Sequence, residues 1–309
     1  MRVLEEMRAE PSQGHVKVMG FKLYYRSFGR PEKGTVLVLS GGPFGTHGIT
    51  LPMADLVQFG YRVVMYDYLG CGKSDRPKGA HHYTQNRAVE EVEGLRKALG
   101  LGRVHLFGIS YGGALALDVA LKYPKNLRSL VISSGFASQA FDDSEWNPLL
   151  PKRIRETLIK YGDKGDFKNP KYLAAKEFLN RTETCRLRIL PYDAWYSLEL
   201  FANDNIGRNL PRRLEGWDIT DRIPEIGLPC LVTAGEYDER SPKCAMAIHR
   251  GIKGSKLVVF EDCSHTAIWE DRVRFIEVVR DFLDHVSALP RKRPKGREGA
   301  KTGIAQRSH

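Results

Sequence analysis

Ser110 lies in Gly108-Ile109-Ser110-Tyr111-Gly112-Gly113, between the apolar run Val104-His105-Leu106-Phe107 and the helix-like run from Ala114 to Ala120. Strand, sharp turn and helix in that order lift a serine hydroxyl clear of a sheet. The glycines have a steric role, because a strained apex leaves no room for side chains against the strand and helix on either side. A serine hydroxyl is a weak nucleophile at neutral pH and needs a base within hydrogen-bond reach, with a third group to orient that base. Two later segments offer those partners at the ends of apolar runs. Gly235-Glu236-Tyr237-Asp238-Glu239 follows Pro229 to Ala234, and Glu261-Asp262-Cys263-Ser264-His265 follows Lys256 to Phe260. The order serine, acid, histidine selects Asp238 as orienter and His265 as general base and then acid, with Glu236 and Glu239 competing for the acid role. Other histidines fit less well: His47 follows a glycine loop, His81 and His82 lie in a polar connection, His105 is inside a strand and His249 is on a helix.

Acyl chemistry at Ser110 also needs two backbone N–H donors for the developing oxyanion. The Tyr111 N–H is one. The other is expected from the loop Gly41-Gly42-Pro43, which directly follows the buried run Thr35 to Leu39. Pro43 has no N–H to give, so Gly42 is the candidate.

Positioning these groups requires a series of strands. Val16 to Tyr25 reads as two strands around a turn at Gly20, followed by strands at Thr35–Leu39, Arg62–Tyr66, Val104–Phe107, Leu130–Ile132, Pro229–Ala234 and Lys256–Phe260. Thr84 is placed to cap a helix whose apolar face is Ala88, Val92, Leu95 and Leu99, with Gly100 as its stop. A last amphipathic helix carries Val273, Ile276, Val279 and Leu283. Strands alternating with helices predict an α/β fold with a mostly parallel sheet covered on both faces. The alternation breaks after Gly135. Residues 1–136 and 222–290 are therefore expected to form one core, with 137–221 an inserted helical cap and 291–309 a disordered basic tail. Trp195, Tyr196, Phe201 and Trp217 are candidates to line an apolar pocket between cap and core, and equally to be plain packing.

Composition sets bounds on function. Of 309 residues 42% are apolar and 28% charged, ordinary for a globular chain. No apolar run is long enough to span a bilayer, and the first residues lack the apolar core of a signal peptide, so a cytoplasmic protein without membrane contact is expected. Five scattered cysteines with no C-x-x-C spacing argue against a disulfide framework or a zinc site. Neither a metal nor an organic cofactor is implied. The formal net charge is +11, of which the tail Arg291–His309 contributes +6 from seven Lys/Arg and one Glu. Nucleic-acid contact through that tail is the sharper expectation and a solvated end the plainer one. Residues 151–188 hold eleven Lys/Arg and five Asp/Glu, read as solvated helix faces or as a field that attracts carboxylates.

Taken together, Gly41-Gly42-Pro43, Asp67-Tyr68-Leu69-Gly70-Cys71-Gly72-Lys73-Ser74, Gly108 to Gly113, Trp217-Asp218-Ile219-Thr220, Gly235 to Glu239 and Cys263-Ser264-His265 resemble the proline iminopeptidases of the α/β-hydrolase fold, and within them the tricorn-interacting aminopeptidases. The likeness spans roughly residues 15–288. It implies a serine that attacks the amide after an N-terminal residue, often proline, and acids that hold the free α-ammonium. Glu239, directly after the triad aspartate, matches one of those acids. Three positions depart from the family pattern: Ser40 replaces a histidine, Phe44 replaces a glycine and narrows the acyl pocket, and Phe201-Ala202-Asn203-Asp204-Asn205-Ile206-Gly207 stands where Gly-Pro-x-Glu is usual. Asp204 is the acid available to replace that glutamate.

The expected activity is release of N-terminal residues, proline or other small or apolar ones, from short peptides through an acyl-enzyme. The same machinery in an amino-acid amidase, a carboxylesterase or an acylglycerol lipase acting on small amides or esters is the alternative. A silent binding or scaffold protein of this fold is the competing class, and such proteins usually lose a triad member. Because His265 must be neutral to act as base, activity is expected to fall below about pH 6.5.

Overall fold

A computed structural model describes residues 12–42, 45–141, 149–187, 214 and 216–289. Eight strands form one sheet: β1 (Ser12–Val18), β2 (Phe21–Phe28), β3 (Gly34–Leu39), β4 (Tyr61–Tyr66), β5 (Val104–Ile109), β6 (Leu127–Ser133), β7 (Cys230–Gly235) and β8 (Lys256–Phe260), in the order β1-β2-β4-β3-β5-β6-β7-β8. β2 runs antiparallel to β1 and β4, and every other neighbouring pair is parallel. The expected hairpin turns at Met19-Gly20, where both residues have positive φ.

The central strands are buried on both faces, which is why they read as continuous apolar runs rather than alternating ones. Leu37, Leu39 and Leu106 point into one core with helices α1 (Gln85–Ala98) and α2 (Tyr111–Lys122). Val36, Val38, Phe107 and Ile109 point into the other, with the 3-10 run His47–Phe59 and, near the chain's end, a long helix over Arg272–Ala288. Thr84 caps α1 as expected, its hydroxyl accepting from the Arg87 N–H at 3.3 Å.

Between β6 and β7 lie α3 (Lys152–Gly162) and α4 (Pro170–Leu179), which share a small apolar cluster of Leu150, Leu158, Ala175 and Leu179. A π-type turn, Asn180–Thr184, follows α4. After β7 come α5 (Ser241–Gly251), the short α6 (Ala267–Glu270) and α7, the Arg272–Ala288 helix.

The α7 face differs from expectation in one residue. Phe275, Ile276, Val279, Phe282 and Leu283 are buried, whereas Val273 is 72% exposed. At about 100° per residue Val273 lies about 120° round the helix from Val279, beyond the apolar stripe. All five cysteines are buried free thiols. Among the described residues no helix is long and apolar enough to cross a membrane.

The chain leaves β3 toward β4 on one side and leaves β5 toward β6 on the other, although β3 and β5 are neighbours. Their following loops therefore diverge at the carboxyl ends of the strands, and open a crevice where ligands of such sheets bind.

Candidate active site

Ser110 stands at that crevice, between the last residue of β5 and the first of α2. Its backbone is held at φ 56° and ψ −122°, a conformation costly for any residue with a side chain. Three contacts hold it there: its N–H donates to Ser133 O at 2.9 Å, and its carbonyl accepts from Gly113 N and Ala114 N. The glycines are required by close approach. A Cβ on Gly112 would lie 2.5 Å from the Leu39 and Ser40 carbonyl oxygens, and one on Gly108 would lie 2.1 Å from Gly112 O.

The loop after β3 sits directly beside the serine. A Cβ on Gly41 would lie 3.2 Å from Ser110 Cβ, and Gly42 has φ 58°. Gly42 and Tyr111, the residues expected to donate to the oxyanion, thus follow directly on Gly41 and Ser110, which meet here. Ser40, the departure from the family histidine, is buried, donates its hydroxyl to Thr46 O at 2.7 Å and accepts at its carbonyl from Tyr68 Oη at 2.9 Å. Asp67 braces the same loop by accepting from His47 N at 2.9 Å and Lys73 N at 3.0 Å. A Cβ on Gly72 would meet Asp67 Oδ2 at 2.2 Å, which explains the glycine of that motif.

Asp238 and His265, from the loops after β7 and β8, meet at 2.7 Å between Oδ1 and Nδ1. A carboxylate only accepts, so Nδ1 carries a proton, and in the neutral ring Nε2 is left with its lone pair. Both residues are buried. Burial opposes the Asp238 charge, but the His265 charge and hydrogen bond outweigh it and hold the carboxyl below its usual range. Burial likewise opposes charge on His265, and the Asp238 and Glu239 carboxylates outweigh it, so its affinity for a proton rises above the ordinary 6.5. With His265 as base, the acid limb of activity is thus expected above pH 6.5 rather than at it. Glu236 is exposed and turned away, accepting from Asp262 N at 3.1 Å. Glu239 lies on the other side of the imidazole, with Oε1 3.9 Å from His265 Nε2.

Several residues that the sequence did not single out complete the site. Ser134 Oγ donates to His265 O at 3.1 Å. Glu270 accepts from Ser264 N, Ser264 Oγ and Thr266 Oγ1, which fixes the loop carrying His265. The Asn180–Thr184 turn clamps both acid and histidine loops. Glu183 O accepts from His265 N at 2.9 Å and Glu239 N at 3.3 Å, while Thr184 Oγ1 donates to Glu239 Oε2 at 2.6 Å. The Glu183 side chain is 1% exposed, and burial, then the Glu239 charge, push its carboxyl up to about 7, outweighing Arg155 and the Leu149 backbone, which favour the charged form. Arg240 reaches the nucleophile itself, with Nε donating to Ser110 Oγ at 3.3 Å and its guanidinium 4.6 Å from the centre of the Phe136 ring. No periodicity marks Glu183. Arg240 had one available signal, its place immediately after Glu239.

Trp217 joins the site only at one remove. Its Nε1 donates to Asp118 Oδ2 at 3.0 Å and its ring meets Phe136 edge-on at 5.7 Å, so it supports the residue on which Arg240 rests. Phe44, Trp195 and Asp204, with Tyr196, Phe201 and the basic tail, lie outside the described residues.

Comparison with known proteins agrees with this geometry. Residues 34–272 match the α/β hydrolase fold family. A proline iminopeptidase of Saccharolobus solfataricus is 37% identical over 90% of this chain and 94% of its own. One from Thermoplasma volcanium is also 37% identical, over 88% and 96%. The crystal structure of a Mycobacterium smegmatis proline iminopeptidase superposes with a TM-score of 0.79 at 28% identity, covering 89% of this chain and 99% of that one. With relatives this similar over nearly their whole length, the chain belongs to the proline iminopeptidase family of α/β-hydrolases.

Proposed function

We propose that this protein is a serine aminopeptidase that releases N-terminal proline from short peptides, with Ser110 as nucleophile, His265 as general base and then acid, and Asp238 as orienter. The observation that carries the reading is one constellation: a strained serine, a buried acid–imidazole pair, and a second carboxylate, Glu239, 3.9 Å from the free imidazole nitrogen. His265 Nε2 takes the Ser110 proton as Oγ bonds to the carbonyl carbon. The oxyanion then faces the Gly42 and Tyr111 N–H groups. When the C–N bond breaks, the His265 proton passes to the leaving amine. Water repeats the sequence on the acyl-enzyme and returns Ser110.

Glu239 gives the reading its N-terminal direction. Burial works against its charge, but His265, Lys176 and Arg240 outweigh burial and keep it ionised. It lies near the acyl side of the scissile bond, where a free α-ammonium would sit. Residues 137–221 act as a cap over a core of 1–136 and 222–290, limiting entry to short chains.

The test is a panel of aminomethylcoumarin amides of proline, alanine and leucine, N-acetylated proline amide and a neutral short-chain ester, with Ser110→Ala as control. Serine-dependent cleavage of free-amine amides, proline best, with the acetylated amide refused, is the expected result. Turnover of the ester alone overturns the peptidase assignment.

A further inference from the structure

We propose that Arg240 is the binding residue for the α-carboxylate of the leaving amino acid, so that the preferred substrates are dipeptides carrying both free termini. The inference rests on the aminopeptidase reading above and specifies its substrate class. Three consecutive residues leave β7 with different tasks. Asp238 holds His265, Glu239 presents a carboxylate beside the imidazole, and Arg240 presents a guanidinium to Ser110 Oγ. The turn is fixed internally, since Asp238 Oδ1 also accepts from Arg240 N at 3.0 Å. The positive and negative groups therefore flank one reacting centre from adjacent positions.

That spacing suits a zwitterion. In a dipeptide the ammonium is two bonds from the scissile carbonyl carbon on the acyl side. On the other side, the carboxylate carbon lies roughly 3 to 4 Å from that same carbon by standard bond lengths. A guanidinium within 3.3 Å of the attacking oxygen is within reach of that carboxylate. The carboxylate is a charged, two-pronged acceptor, and so a better partner for the planar fork than a neutral hydroxyl. As Arg240 turns to it, the Ser110 oxygen is relieved of a competing donor just as it must attack. Phe136 supplies a flat support for the guanidinium, and Trp217 backs that ring. Arg240 is half-buried, which limits solvent screening of the pair.

The plain alternative is that Arg240 only offsets the Glu239 charge. Substrate comparison separates the two, because Pro-Gly and Pro-Gly-amide differ only in the carboxylate. The wild-type protein is expected to favour Pro-Gly in kcat/KM by about tenfold or more, the range of a hydrogen-bonded ion pair partly open to solvent. Pro-Gly-Gly, whose carboxylate lies one residue further out, should behave like the amide. In Arg240→Met the ratio of Pro-Gly to Pro-Gly-amide should collapse toward one, with Arg240→Lys intermediate. Binding to Ser110→Ala protein, measured by calorimetry, gives a second arm that needs no turnover. Pro-Gly should bind more tightly than Pro-Gly-amide, and Ser110→Ala/Arg240→Met should erase the difference. Equal binding of the two ligands, or a ratio unchanged by Arg240→Met, overturns the assignment. Discrimination in binding without peptide cleavage by the wild type would instead overturn the peptidase reading and leave Arg240 as a carboxylate site. A preference for Pro-Asp-amide over Pro-Gly-amide, with none for Pro-Gly, would assign Arg240 to an acidic side chain and overturn the α-carboxylate.

Discussion

Around Ser110 the backbone does the positioning; around Glu183, Glu239 and Arg240 charged side chains meet from segments distant in the chain. On the first side, glycines allow strand, loop and helix to approach until no Cβ would fit, and the serine conformation follows. On the second, the Asn180–Thr184 turn crosses the loops of Asp238 and His265 and brings the buried Glu183 carboxylate with it, while Arg240 lies against the nucleophile. The contrast separates what a hydrolase of this fold must have from what selects its substrate. The backbone-built side should respond to substitution by losing chemistry or fold. The charge-built side should respond by changing preference and pH dependence.

The largest effect tests the first half of that contrast. Asp238→Asn should lower kcat by about 10⁴-fold with circular dichroism unchanged, because the amide favours the wrong imidazole tautomer. A loss below tenfold would remove Asp238 from the machinery. Gly112→Ala comes next, since its Cβ would lie 2.5 Å from two carbonyl oxygens. Destabilisation of about 1–3 kcal/mol, read as a lower denaturation midpoint, is the expected cost of such overpacking.

Glu239→Gln tests the other half. A charge-assisted contact contributes about 1.5–3 kcal/mol, so kcat/KM on free-amine substrates should fall roughly ten- to a hundredfold while neutral esters change little. Equal losses on both would show that Glu239 serves the imidazole alone. The same variant sharpens the pH profile. Glu239 raises the proton affinity of His265, and activity requires the neutral ring, so the wild-type acid limb of kcat/KM should lie above 6.5 and move to lower pH in Glu239→Gln.

The smallest effect concerns Glu183. Its carboxyl is raised from 4.5 to about 7 in the folded protein. The folded state therefore holds the proton that the unfolded chain has released, and stability is lost as pH rises between those values. Glu183→Gln should raise the melting temperature at pH 8 by about 2 °C or more, with little change at pH 4.5. No difference between the two pH values would mean that the carboxylate finds a partner in solution.

Much of this architecture is legible from the chain because it rests on local rules. The buried strands, the glycine-flanked serine, the Thr84 cap and the α1 face each follow from short-range sterics and periodicity. The α7 face shows where such rules blur, since Val273 matches the spacing and still falls outside the stripe that the core covers. The acid role was open among three residues in sequence. Only the packing of two loops puts Asp238 at 2.7 Å from the imidazole, turns Glu236 outward and leaves Glu239 beside Nε2.

By itself the sequence determined the strand–turn–helix around Ser110, the order of the reacting groups and the covered parallel sheet, because each is written in glycine placement and hydrophobic period within a short window. Tertiary structure alone decided which charges face one another: that Glu183 closes over the histidine loop, that Trp217 supports Phe136, and that Arg240 reaches Ser110. Long side chains from remote segments meet there, and their reach and burial depend on how whole loops pack rather than on any neighbouring residue type.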